Sequence, residues 1–128
     1  MKSLLLDTHV LLWALGEPAK LAPAVRAEIE SPDSNVFVSA ASSWEISIKR
    51  GLGKLETPDD LEDQLQLKRF TELPVHFRHV AVLARLPTLH RDPVDRMLVA
   101  QCLCDDLVMV SHDEQVLAYP VKSLRARP

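Results

Sequence analysis

The sequence predicts an α/β domain built on a parallel sheet, and three observations carry that expectation. Residues 3–6, 35–39 and 107–110 are short, nearly continuous apolar runs, the pattern of strands buried on both faces rather than one. Longer segments with helical spacing separate them, and alternation of this kind argues for strands joined by crossover helices. Two of the runs end in acids, Asp7 directly and Asp113 after Ser111-His112. In parallel sheets the ligand site lies outside the carboxyl ends of the strands, where these acids fall.

Taken in order, the first strand, 3–6, stops at Asp7. Residues 8–15 then read as a helix carrying Leu11, Leu12 and Leu15, closed by Gly16 with Pro18 beyond. A second helix is expected over 22–30, with Pro23 near its start and a Ser-Pro-Asp-Ser turn behind it. The strand at 35–39 leads into a helix from Ala40, where Ala41, Trp44 and Ile48 recur at helical spacing and Gly51 and Gly53 end the segment. Thr57-Pro58-Asp59-Asp60 opens another helix, running to about residue 69 with Leu61, Leu65 and Phe70 on one side. A short strand at 72–75 is confined by Pro74 to an edge or an end. Residues 76–86 read as helical, with Phe77, Val80, Leu83 and Ala84 as the inner stripe.

The stretch 90–103 is the helix that matters most. Asp92 is a good N-cap, Pro93 suits the first helical position, and Asp95 falls at the third. Asp92 and Asp95 can be read as a capping-box-like pair. The register argues for more, because Asp95 lies on the stripe continued by Leu98, Val99 and Cys102 and so heads a buried face. A carboxylate there needs a partner. After the apolar run at 107–110 a brief helix spans 114–118, Pro120-Val121 adds a final strand, and the tail with Lys122, Arg125 and Arg127 is basic.

Composition places the chain among soluble globular proteins: 47% apolar residues with mixed charge, enough length for one domain over 1–128, and no repeat or linker. The net charge of −3 disfavours a simple electrostatic nucleic-acid binder, and any such substrate must meet a local basic surface or metal ions. The opening apolar run is broken by Asp7-Thr8-His9 too early for a signal peptide, and no stretch has membrane-spanning length. Cys102 and Cys104 point to different sides of one helix, so neither a mutual disulfide nor a shared metal is expected; two buried, reduced thiols suit the cytoplasm.

Asp7, Glu45, Asp95 and Asp113 form the candidate site. Each has an innocent reading alone: Asp7 as a helix cap, Ser111 with Glu114 as a capping box that leaves Asp113 exposed, and Glu45 paired with Lys49 one turn on. Together they can converge on one sheet edge. Two bare carboxylates about 4 Å apart repel by about 4 kcal/mol at an effective dielectric of about 20, so a cluster needs protons or cations. Oxygen-only ligation suits Mg²⁺ or Mn²⁺, and carboxylate-bound Mg²⁺ can activate water and neutralise a phosphodiester transition state.

Leu-Leu-Leu-Asp-Thr-His at the start, Val-Ser-Ala-Ala-Ser-Ser-Trp-Glu-Ile-Ser-Ile-Lys-Arg-Gly-Leu-Gly-Lys-Leu in the middle, His-Arg-Asp-Pro-Val-Asp-Arg-Met-Leu-Val-Ala-Gln, and then Val-Ser-His-Asp resemble, in that order, PIN-domain proteins of the VapC-like toxin group. The resemblance implies a three-layer α/β/α sandwich with a parallel four- to five-stranded sheet. It implies a metal-dependent endoribonuclease, paired with an antitoxin that blocks the acidic pocket, and commonly a homodimer. By the same resemblance Asp7, Glu45 and Asp95 take the core metal-ligand roles and Asp113 the more variable fourth. Ser111 falls where the family favours Ser or Thr, orienting the acids or a water, with Thr8 beside Asp7 in support. No sequence-specific DNA binding is expected of the chain by itself.

Other residues compete for roles. His9, His90 and His112 each lie near one of the acids and admit a metal-free, histidine-based ribonuclease. Lys49, Arg91 and Arg96 flank the acids and could hold RNA phosphates, though Arg96 can instead pair with Asp92; Lys54 reads as simply solvated. Trp13 and Trp44 read as core or partner-facing rather than as base-stacking platforms. A Mg²⁺-binding signalling or phosphatase-like domain is disfavoured, because Thr8-His9 rather than an acid follows Asp7 and no lysine follows a late apolar strand.

Overall fold

In the computed structural model, which describes residues 2–55 and 60–128, five parallel strands run in the order β3-β2-β1-β4-β5. They are β1 (Ser3–Leu6), β2 (Asn35–Ser39), β3 (Thr71–Leu73), β4 (Val108–Ser111) and β5 (Ser123–Arg125). The helices are α1 (Thr8–Gly16), α2 (Pro23–Glu30), α3 (Ala40–Gly51), α4 (Leu61–Leu67), α5 (Phe77–Leu83), α6 (Pro93–Asp105) and α7 (Glu114–Leu117). The expected opening of α4 at Thr57-Pro58-Asp59 lies outside the described residues; Asp60 is its N-cap.

Strand β1 is central because both of its faces are apolar. Leu4 and Leu6 point into one core with Val36, Val38 and Val110, covered by α1 and α2 through Val10, Leu11, Val25 and Ile29. Leu5 points into the other with Met109, covered by α6 and α7 through Leu98, Val99, Cys102 and Val116. Register aligns Leu5 with Phe37 on one side and Met109 on the other, so each layer packs as a continuous sheet face. The result is the parallel α/β sheet that the apolar runs predict, in the three-layer sandwich that the resemblance implies. Among the described residues no helix is long and apolar enough to cross a membrane.

Several expectations are corrected. The last strand is β5 at Ser123–Arg125 and not Pro120-Val121, because Tyr119 to Lys122 form the turn that returns the chain to β4. Leu124 packs on the core and Ala126 is fully buried, so the basic tail alternates inward and outward with period two. The inner stripe expected of α5 is turned out: Phe77 is 95% exposed and Val80 is exposed, while His79 is fully buried. The polar side chain faces inward because partners await it there. His79 Nδ1 accepts the His76 N–H at 3.0 Å, and its Nε2 lies 2.8 Å from Asp105 Oδ2 on α6. Likewise Trp44 and Ile48 are exposed, and the buried face of α3 is Ala41, Ser42 and Ile46. Of the two free thiols Cys102 is buried and Cys104 only half-buried.

Candidate metal centre

Asp7 stands one residue beyond β1 and is almost completely buried. Its Oδ1 caps α1 by accepting the Val10 N–H at 2.8 Å, and its Oδ2 accepts the Ser111 hydroxyl at 2.5 Å. Burial pushes its carboxyl upward, although these two donors, His112 and His9 pull it down. Ser111 ends the neighbouring strand β4, fully buried, and its Oγ also accepts the Asp113 N–H at 3.0 Å. Asp113 then caps α7 by accepting the Gln115 N–H at 2.8 Å. The alternative capping box is thus corrected: Ser111 serves Asp7, and Glu114 is paired with Arg125. Thr8 is buried and donates to Ser42 Oγ at 3.2 Å, joining α1 to α3 one turn before Glu45. Glu45 meets Lys49 Nζ at 3.5 Å.

The start of α6 separates its two acids. Asp92 Oδ1 accepts the N–H groups of Val94 and Asp95, at 2.9 and 3.0 Å, which is the full duty of a cap. Asp95, freed from capping, turns to His90, whose Nε2 lies 3.0 Å from Asp95 Oδ2 and 3.1 Å from Asp113 Oδ2. His90 Nδ1 accepts the Asp92 N–H at 3.1 Å, so the ring hydrogen sits on Nε2 and points at the two carboxylates. Tyr119, nearly buried, accepts the Leu89 and His90 N–H groups at 3.2 and 3.0 Å and anchors this loop. The signal for Tyr119 in the sequence was slight: a tyrosine in an apolar segment, whose hydroxyl needs a partner once buried.

All four predicted acids line one cavity of about 390 Å³ at the carboxyl edge of the sheet, together with Asp92. Burial pushes the Asp95 carboxyl up to about 7; Asp92, Asp7 and Glu45 add to the effect, and His90 opposes it. For Asp113 burial acts upward but is outweighed by the Gln115 amide and His90, and the net shift is downward. Lys49 and Lys54 line the same cavity, with Lys54 exposed to solvent as expected. Arg91 is exposed, and Arg96 does not pair with Asp92 but reaches the Leu83 and Leu86 carbonyls at 3.5 and 3.4 Å, the limit of a hydrogen bond. His9 also lines the cavity, whereas His112 packs against Trp13 with ring centroids 4.7 Å apart, and Arg127 covers Trp13.

The donors fit a hard divalent cation, because carboxylate oxygens crowd a partly buried pocket where the protein's own positive charge does not balance them. A second group, His79, Cys104 and Asp105, also brings ligand atoms within 4.8 Å. Its histidine accepts the His76 N–H at Nδ1, which leaves the hydrogen on Nε2 facing Asp105 and no lone pair there for a metal. Arg78 completes that group as an ion-paired brace between α5 and α6.

Fold and site together define a parallel α/β sandwich with an acidic pocket at the carboxyl edge of its central strands. A sequence profile of the PIN domain matches residues 4–122. The chain belongs to the PIN domain family. No curated protein sequence matches it. Among solved structures it is similar to a chain of VapBC2 from Rickettsia felis bound to a DNA fragment from their promoter, with a TM-score of 0.73, 13% identity and coverage of 97% of this chain and 98% of that one. It is also similar to a chain of DNA-bound VapBC from Salmonella typhimurium, with a TM-score of 0.68, 15% identity and 98% of both chains covered. For VapBC-5, a toxin-antitoxin family member from Mycobacterium tuberculosis, the values are 0.60, 18% and full coverage of both chains.

Proposed function

We propose that this protein is a Mg²⁺- or Mn²⁺-dependent endoribonuclease acting in the cytoplasm as the toxin of a toxin-antitoxin pair. The observation that carries the reading is the convergence of Asp7, Glu45, Asp95 and Asp113 on one cavity from four separate elements. These side chains would hold the ion, which when bound lowers the pKa of a coordinated water and offsets charge on the phosphodiester. The chain's own contribution is placement. Ser111 and the Val10 amide fix both oxygens of Asp7, and Thr8 ties α1 to the helix that carries Glu45. Lys49 and Lys54 put positive charge at the rim, where RNA phosphates bind a site that is otherwise negative. Hydrolysis forms a bond from the water oxygen to phosphorus and breaks the bond to the 3′ oxygen, leaving a 5′-phosphate and a 3′-hydroxyl.

Exposed apolar surface supports the partner part of this reading. Trp44 and Phe77 stand 61% and 95% exposed, and an apolar groove lined by Ala41, Trp44, Val75, Leu83 and Met97 lies between α3 and α6. Apolar surface of this kind suits a second copy of the chain or an antitoxin. In the Rickettsia felis and Salmonella typhimurium structures it is the VapBC assembly that is described as bound to DNA; we assign no sequence-specific DNA contact to this chain alone, whose net charge is −3. A histidine mechanism gains nothing from His90, since both of its ring nitrogens are engaged. The test is RNA cleavage with Mn²⁺ and with chelator, followed by mapping of the ends. Chelator should abolish cutting, and the ends should carry 5′-phosphates. Cyclic phosphates made in the presence of chelator would overturn the metal mechanism. Growth arrest on expression, relieved by co-expressing the neighbouring open reading frame, tests the toxin role.

A further inference from the structure

The four acids are not equally well held. Asp7 has a donor on each oxygen, from Val10 and Ser111, and Asp113 has Gln115 on one oxygen and His90 on the other. Asp95, in the middle of the cluster, is met by His90. One imidazole therefore serves two acids from two different helices. Its Nε2, the nearest Asp95 oxygen and the nearest Asp113 oxygen all lie within 4.8 Å of one another. Without a donor between them, two carboxylates so close repel whenever both are ionised, and a cation arriving later would have to draw them back.

We propose that His90 is a positioning residue that holds Asp95 and Asp113 at ligating separation, with Tyr119 fixing the backbone from which its ring hangs. The inference rests on the metal-dependent reading above. Three observations support it independently of charge. The Asp92 N–H occupies Nδ1 and so assigns the hydrogen to Nε2, the atom that faces both acids. Asp92 itself is pinned as the α6 cap, so the ring is referenced to the same helix end that carries Asp95. Tyr119 then ties Leu89 and His90 to the segment that follows α7, the helix capped by Asp113. The loop before α6 and the turn after α7 are thus locked together by one phenol, and the ring bridges the acids borne by the two helices. His90 is not a ligand in this arrangement, because its Nε2 carries a hydrogen. It acts as an outer partner of the ligands, a role whose loss commonly weakens metal affinity by about 10- to 100-fold.

The experiment is Mn²⁺ binding to the purified chain, read as free Mn²⁺ by electron paramagnetic resonance, for the parent, His90→Ala and Tyr119→Phe. Chelator-treated samples are melted in parallel. His90→Ala should bind Mn²⁺ about 10- to 100-fold more weakly than the parent. Tyr119→Phe should weaken binding in the same direction by a smaller factor. Binding by His90→Ala within twofold of the parent, or tighter, overturns the proposal while leaving the nuclease reading intact. A parent that binds no Mn²⁺ overturns both, and that outcome is visible without any variant. If His90→Ala does not fold, Tyr119→Phe still decides, together with the ring ¹⁵N spectrum of the metal-free parent. That spectrum should show His90 protonated at Nε2, and protonation at Nδ1 alone contradicts the geometry.

Discussion

Asp92 and Asp95 are three residues apart on one helix, yet physical chemistry gives them separate work. Asp92 accepts two amides at the start of α6, so Asp92→Ala should destabilise the protein by about 1 kcal/mol in chemical denaturation. Asp95 carries the opposite cost. Its folded-state pKa of about 7 lies above the ordinary 3.8, so between those values the folded chain keeps a proton that the unfolded chain has released. Stability falls as pH rises through that window. In chelator, Asp95→Asn should therefore gain on the parent as pH climbs from about 4 to about 7, with the gap level above that. Denaturation midpoints across the range check this; a gap that shrinks with rising pH would count against it. The four acids were legible as residue types at strand ends and on a buried stripe. His90 was legible only as a histidine near the acids, and Tyr119 hardly at all, because their contacts depend on which atoms meet across 23 and 30 residues of chain.

At the level of elements, strands and the long helices followed from apolar runs and caps. What failed was the orientation of the two helices whose apolar residues face outward. Periodicity shows that α5 has an apolar stripe, but not that Arg78 and His79 outbid it by bonding Asp105. Phe77→Lys should accordingly change stability by no more than about 0.5 kcal/mol, whereas Leu98→Ala, in the fully buried face of α6, should cost about 2–5 kcal/mol. Thermal melts of the two variants separate an exposed stripe from an inner one. Strand β5 was hidden for a related reason. Its inward residue Leu124, and Ala126 just beyond it, are outnumbered by charged neighbours, and only pairing with β4 reveals them.

For the whole molecule, sheet order places β1 and β4 side by side and so brings Asp7 to Ser111. Strand composition indicates a parallel sheet but leaves its order open, and the site's completeness hangs on that order. The exposed apolar residues on α3 and α5 belong to this scale too, since they lie outside the core and are the surface to which the proposed reading assigns a partner. Trp44→Glu should leave the melting temperature of dilute protein nearly unchanged and, on the proposed reading of this face, weaken association with its proposed partner in sedimentation.

The hydrogen bond from Ser111 to Asp7 spans 104 residues of sequence. On a ribosome the strand bearing Asp7 must wait, because its neighbour β4 ends in the serine that fixes its carboxylate, which is made 104 residues later. Until then the Asp7 carboxylate lacks the hydroxyl that fixes its Oδ2. The order of synthesis thus defers the pocket, and any chemistry it supports, until β4 is available to pair with β1.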